Sequence, residues 1–362
     1  MSEAPRAPGA ERRDRTRASG EMACYAALDL GTNNCRLLIA TPGATSFRVV
    51  EAFSRIVRLG EGLSQTGRLS DAAMERALAA LRISAEKIRR RRVIQLRAIA
   101  TQACRMAENG PEFIERVFAE TGLRLQIISP QEEARLSVAG CVSLLDRSAE
   151  AALVVDVGGG STELSWVELG EAASAGPSHR PPPIRAWLSI PIGVVTLAEK
   201  FPEGEAATET WFRAMVDTVK AEIGAFRRAD PLRPVFDRDR AHLIGTSGAI
   251  TSLAGMHLNL LRYDRNRVDG IWMTREQCEA AAARLLALSA RERAEQPCIG
   301  PDRADLVLAG AAILQAVQEL WPCNRVRVAD RGLREGILIS LMSDRGRRRR
   351  RRRRPARAMA AE

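Results

Sequence analysis

The chain has 362 residues, 46% of them hydrophobic, which is room for two ordinary domains with a core in each. No apolar run approaches the ~20 residues needed to span a bilayer, and residues 1–21, rich in Arg, Ala, Pro and Glu, contain no signal-like hydrophobic stretch. Composition therefore excludes a helical membrane protein and a secreted one, and points to the cytoplasm.

The formal net charge of +11 says little about the folded part, because eight consecutive arginines, Arg347 to Arg354, carry most of it and their removal leaves +3. A block of like charge resists packing, so residues 345–362 are expected to form a disordered tail, as is the leader 1–22. Such a tail would attract a polyanion, whether RNA, a membrane surface or polyphosphate, by counterion release. The seven cysteines form no CxxC pair and read as reduced core thiols. The three histidines, His179, His242 and His257, match no zinc spacing, so oxygen-ligated Mg²⁺ is the expected metal. His242 lies in an apolar strand and His257 in a helix, and both read as structural. A Ser-His-Asp triad has no candidate.

In chain order, strands are expected at 25–30, 35–40 and 47–54. The first two form a hairpin reading AALDLGTNNCRLLI, in which Asp29 ends an apolar strand and Gly31, Thr32, Asn33 and Asn34 make a small polar turn. A helix follows over 70–92, with Met74, Leu78, Leu81, Ala85 and Ile88 repeating at spacings of three and four. A strand at 93–100 leads into a polar turn and short helix at 101–105. Arg105 there sits at the C-terminal side of a strand, where α/β ligand sites form, and could bind phosphate bidentately, although one arginine among many is weak evidence.

The stretch 127–145, IISPQEEARLSVAGCVSLL, opens a helix: Ser129 is a natural N-cap, Pro130 suits the first turn, and Glu132 completes a capping box. Glu133 is not needed for capping and points about 100° away around the helix. It is either a surface acid favoured by the helix dipole or the carboxylate that orients and deprotonates a water.

The most informative segment is LVVDVGGGSTEL, residues 153–164. A buried β-branched strand ends on Asp156, and Gly158, Gly159 and Gly160 clear the side chains from a turn so that backbone N–H groups can converge on an anion. Ser161 and Thr162 add hydroxyls, and Glu163 returns a second carboxylate as the next strand, 163–168, begins. One such turn could equally be a hairpin without a ligand. Its resemblance to the turn after Asp29 suggests two related half-domains facing one phosphate-bearing ligand. Neither turn is a Walker A loop, since no lysine follows, nor a Rossmann turn, since a strand follows where a helix is required.

Beyond it, 170–183 reads as a Pro-rich loop, 184–190 as a strand, Gly193 as the start of a short helix, and 205–228 as a longer one. An apolar strand at 241–245 runs into Gly245, Thr246, Ser247 and Gly248 and a helix at 249–261, a turn suited either to ligand N–H contacts or to tight packing. Helices at 274–288 and 303–320, a strand at 325–329 and a last helix at 331–342 complete the chain.

Asp29 to Asn33, EEARL at 132–136, Asp156 to Leu164, Gly245 to Ala249 and GLREG at 332–336 together resemble the exopolyphosphatase/guanosine pentaphosphate phosphohydrolase family. The resemblance covers about residues 25–342. It implies an α/β fold of two actin-like, ribonuclease-H-like domains, here 23–135 and 136–344, with the active site in the cleft between them. It implies Mg²⁺-dependent release of terminal phosphate from inorganic polyphosphate or from guanosine pentaphosphate. By motif position Glu133 would be the catalytic base, and Asp156 and Glu163 would help hold the metal, with Asp29 assisting. Gly31, Thr32, Asn33, Asn34, Gly158, Gly159, Gly160, Ser161, Thr162 and Arg105 would bind phosphate. Members are often dimers, so a homodimer is one implied assembly. Asn34 and Cys35 depart from the Ser-Phe or Ser-Ile of many members, and the C-terminal helical domain of the longer members is not expected here. A sugar kinase of the same superfold and a non-catalytic polyanion- or RNA-binding module are the competing readings.

Overall fold

The computed structural model describes residues 23–43, 46–170 and 181–353. The expected leader, most of the Pro-rich loop and residues 354–362 lie outside the described residues.

Two sheets are built to one plan. In the first, β1 (Tyr25–Leu30), β2 (Asn34–Pro42) and β3 (Phe47–Ile56) form an antiparallel meander, and β4 (Gln95–Ala100) and β5 (Leu125–Ile127) add in parallel on the other side of β1, giving the order β3-β2-β1-β4-β5. In the second, β6 (Ala151–Val157), β7 (Thr162–Glu168) and β8 (Ile184–Ile190) repeat the meander, and β9 (Ala241–Thr246) and β11 (Val326–Ala329) repeat the parallel additions. The two-residue strand β10 (Trp272–Met273) extends the far edge antiparallel to β11. The repeated order 3-2-1-4-5 makes this an α/β protein of two actin-like domains.

Strand alternation sets the layers, because successive side chains point to opposite faces. In β1, Ala26, Leu28 and Leu30 face a core shared with the helix Asp71–Arg90, while Tyr25 and Ala27 face a second core containing Leu136, Ile337 and Leu338. The second sheet does the same: Leu153 and Val155 meet the helices Val194–Lys200, Glu209–Gly224, Gly248–His257 and Val307–Leu320, and Ala152 and Val154 meet Val138 and Cys141. The helix Pro130–Cys141 thus packs on both sheets. The last helix, Leu333–Arg353, returns to the first sheet, so the chain beyond β11 packs with the N-terminal unit and not with the unit to which contiguity assigns it.

Those two helices cross at glycines. A Cβ added to Gly140 would lie 1.9 Å from the carbonyl oxygen of Gly332, and one added to Gly336 would lie 1.9 Å from that of Leu136. The glycines of GLREG therefore serve backbone-to-backbone approach. At the opposite edge of the cleft, Arg58 donates to both carboxylate oxygens of Asp305 at 2.9 and 3.2 Å. Beside it Glu199 accepts from the Gly62 amide at 2.9 Å and the Ser64 hydroxyl at 2.7 Å.

Several expected bounds shift. The helix expected over 205–228 spans Glu209–Gly224, because Thr208 accepts from the Trp211 amide and fixes its start. The helix expected from 303 begins at Val307 after a run of turns. The helix Gly110–Thr121 was not foreseen; its buried stripe is short, Phe113 and Val117, and it opens on Gly-Pro. The last helix continues past 342 to Arg353. Arginine is a good helix former and the run meets no proline before Pro355, so the arginines from 347 to 353 extend the helix where disorder was expected.

Gly336→Ala should destabilise the protein by on the order of 3 kcal/mol, since the backbone on both sides must give way. Thermal unfolding checks this, and an unchanged midpoint would show that the crossing tolerates separation.

Candidate active site

The two hairpin turns meet across the interdomain cleft. Asp29 ends β1 as Asp156 ends β6, and each turn leaves its strand with a glycine-bearing loop. The turns are in contact: a Cβ on Gly160 would lie 2.7 Å from the Thr32 hydroxyl, and one on Gly159 would lie 3.0 Å from the Asn33 amide. The missing side chains are thus needed both for anion approach and for bringing the domains together. The cleft encloses ≈ 370 Å³ and is lined by Asp29, Gly31, Thr32, Asn33, Asn34, Glu133, Asp156, Gly158, Gly159, Gly160, Ser161 and Glu163. Twelve of the fourteen residues expected at the site therefore face one space.

The other two point elsewhere. The Thr162 hydroxyl donates to the Ile192 carbonyl at 2.7 Å and so secures β7. Arg105 stands behind Glu133: Nη1 donates to the Ile128 carbonyl at 2.7 Å and to Glu133 Oε2 at 3.3 Å, and Nη2 donates to Gln102 at 2.5 Å and to Glu133 Oε2 at 3.4 Å. Both side-chain partners of Arg105, Glu133 and Gln102, line the cleft.

Glu133 itself is 8% exposed. Its helix is capped as expected at Ser129, whose hydroxyl accepts from the Glu132 amide at 3.2 Å. The reciprocal half of the capping box is absent, because the Glu132 carboxylate is taken by Arg97 at 2.6 Å. Burial and the neighbouring Glu163 raise the Glu133 pKa well above the carboxylate range, against the lowering pull of Arg105. The same causes act throughout the cluster. Burial raises Asp156 to about 6 although the Ser137 hydroxyl donates to it, and burial followed by the charge of Asp156 raises Glu163 to about 7 although Ser189 donates to it at 2.8 Å. Asp29 is raised by burial and opposed by Arg36 and Arg334.

The repeat explains one residue that sequence reasoning missed. Asp156 pairs across its hairpin with Glu163, and at the same register Asp29 pairs with Arg36. Counting seven residues on from Asp29 would have found it. Arg303 and Arg334 also line the cleft, and none of the three makes a side-chain hydrogen bond among the described residues. Arg265 and Arg331 line it too but are committed, Arg265 to the Asp330 carbonyl and Glu335, and Arg331 to Asp269. Arg334 lies within the GLREG motif, although no role was assigned to it, and no periodicity or motif distinguished the other four from the many other arginines.

The donor set suits a hard cation and a phosphate. It is all oxygen, and like charges raise one another's pKa values, which a cation would relieve. Among the described residues no three acidic, His or Cys side chains converge closely enough to hold a metal unaided. Thr32 Oγ1 and Asn33 Oδ1 are buried with no hydrogen-bond partner, a state that costs roughly 1–3 kcal/mol per group and that a phosphate with its water would end. His242 is structural, as expected: it is fully buried, its Nε2 accepts from the Asp146 amide at 3.3 Å, and burial lowers its pKa to about 4.

Glycine-bearing turns, clustered carboxylates and arginines thus line the cleft between two actin-like domains. The chain belongs to the Ppx/GppA phosphatase family, whose profile matches residues 38–345. It is similar to the Aquifex aeolicus member of that family at 29% identity, over 90% of this chain and 99% of that one, with a TM-score of 0.71. It is also similar to an exopolyphosphatase-like protein at 31% identity, over 89% and 98%, with a TM-score of 0.77. An exopolyphosphatase from Cytophaga hutchinsonii, at 23% identity over 89% and 98%, shares the fold with a TM-score of 0.77. No helix among the described residues is long and apolar enough to cross a membrane.

Two outcomes follow. Carboxylates raised by burial bind more protons in the folded state than in the unfolded one, so stability falls as pH rises from the unfolded values near 4 through about 7. The metal-free protein should therefore melt higher at pH 6 than at pH 8, and Asp156→Asn should raise the pH 8 midpoint by roughly 2–6 °C. Separately, Arg105→Gln removes the cation that lowers Glu133, so the acid limb of phosphate release should move to higher pH, with partial return in Arg105→Lys. A limb that stays in place would show that Glu133 is not the titrating group.

Proposed function

We propose that the chain is a Mg²⁺-dependent exopolyphosphatase that releases orthophosphate from the end of inorganic polyphosphate. The observation that supports it most is the position of Glu133, a buried carboxylate of raised pKa at a helix N-terminus, beside two anion-binding turns. The terminal phosphate would lie between the turns at 31–34 and 158–161, with Arg36, Arg303 and Arg334 as counter-charges along the cleft. Ionised Glu133 accepts a proton from a water whose oxygen bonds to the terminal phosphorus. The bridging P–O bond breaks, and the shortened chain leaves carrying that oxygen. Arg105 holds the carboxylate in place and keeps it ionised at lower pH than burial alone would allow. Mg²⁺, held by Asp156 and Glu163 with Asp29 nearby, would supply charge neutralisation for the phosphate oxygens when bound.

A linear polyanion asks only for cations and N–H groups, whereas a guanosine needs a platform for its base. The cleft offers five arginines and one aromatic ring, Tyr263, which favours the linear substrate.

The test is Mg²⁺-dependent phosphate release from short polyphosphate, long polyphosphate and guanosine pentaphosphate in parallel. Wild type should release phosphate from polyphosphate, and Glu133→Gln should lower kcat by roughly 10²–10⁴-fold. Release confined to guanosine pentaphosphate would replace the substrate, and release undiminished in Glu133→Gln would remove the base.

A further inference from the structure

The helix that carries the arginine block begins in the cleft. Gly332, Leu333, Arg334 and Glu335 line the site, and the same helix runs without interruption to Arg353. Its last apolar contacts with the first domain are Leu341 and Met342, and Ser343 is exposed. Beyond that point the sequence is Asp344, Arg345, Gly346 and then arginine at every position to 354. At 1.5 Å per residue, the block from 347 to 353 lies roughly 18–27 Å along the helix from Glu335. The block carries most of the formal charge, since the chain without it carries only +3.

From this placement we propose that the arginine helix is a second binding site for the substrate chain, engaging long polyphosphate at a distance from the cleft that holds its end. This rests on the polyphosphate reading above. The chemistry is that of a dense polyanion meeting a dense polycation: the guanidinium groups displace condensed counterions from the phosphates, and affinity falls steeply with salt. Covalent continuity between the two sites makes the second contact intramolecular, so a chain held at one site is presented to the other at high effective concentration. The gain has a length threshold. A chain of three phosphates cannot reach from the cleft to the block, whereas one of a hundred reaches easily.

The experiment is equilibrium binding of the full chain carrying Glu133→Gln to labelled polyphosphate of about a hundred units, over a range of salt. It is compared with the same protein in which Arg347 to Arg354 are all changed to Gln, which keeps helix propensity and removes charge. The Gln variant should bind long polyphosphate roughly tenfold or more weakly at ~100 mM salt, with a shallower slope of log affinity against log salt. In an otherwise native background it should turn over tripolyphosphate as the unaltered chain does. Equal affinity and equal slope for the two proteins would overturn the second site while leaving the hydrolase reading intact. Loss of long-chain binding in the Gln variant, in a protein whose native form releases no phosphate from polyphosphate, would instead remove the substrate reading. An RNA of equal charge that competes as well as polyphosphate would overturn the assignment of the block to the substrate and make it a nucleic-acid arm.

Discussion

The structure depends on one close approach. The helices Pro130–Cys141 and Leu333–Arg353 cross with backbone against backbone, Gly140 on Gly332 and Gly336 on Leu136, at separations that no Cβ would permit. The first helix carries Glu133 in its opening turn, and the second carries Arg334 and Glu335 in its own. The pairing of 140 with 332 and of 136 with 336 runs the two helices antiparallel, and residues from both opening turns, Glu133 with Arg334 and Glu335, line the cleft that holds Asp29 and Asp156. The chain passes between domains only along these two helices, from β5 to β6 and from β11 back to the first sheet. A structural contact therefore sets the position of the chemistry.

The site set on that frame is electrostatically uncomfortable by itself. Among the carboxylates that line the buried cleft, Asp29, Glu133, Asp156 and Glu163 have their pKa raised, with burial the largest cause for each. Arg36 and Arg334 partly offset Asp29 without hydrogen-bonding to it, and the turn atoms Thr32 Oγ1 and Asn33 Oδ1 have no hydrogen-bond partner. Acids held above their ordinary pKa beside arginines and turn atoms with open hydrogen-bonding capacity form a surface suited to a metal phosphate.

Much of this was legible in the sequence because hairpins and caps are local. Asp29 and Asp156 could be placed at strand ends by apolar runs, the turns by their small residues, and Glu133 by Ser129 three residues ahead of Glu132. The repeat of hairpins correctly implied two related domains. Contacts between distant segments were not legible. Nothing near Arg105 in the chain says that Glu133 folds against it, nothing near Glu132 says that Arg97 displaces its reach to the cap, and Thr162 gave no sign of facing Ile192. Arg36 and Arg303 were invisible for a different reason: arginine is so frequent here that only position in space separates a ligand from a solvated surface, and Arg334, though inside GLREG, had no role that the motif alone assigned. Helix propensity against charge repulsion was misjudged beyond Met342, where propensity prevailed through Arg353.

The paired contacts at the two edges of the cleft are unequal in kind. On one side lies the glycine crossing, apolar, desolvated and joined by covalent chain. On the other, Arg58 with Asp305 and Glu199 with Gly62 and Ser64 are polar contacts near solvent, of the kind that exchange readily with water. The molecule is thus built like a clasp whose pin is buried and whose catch is wet. The hairpin turns touch one another as well, Gly160 against Thr32 and Gly159 against Asn33, so that edge is closed by polar contacts and by glycine packing together.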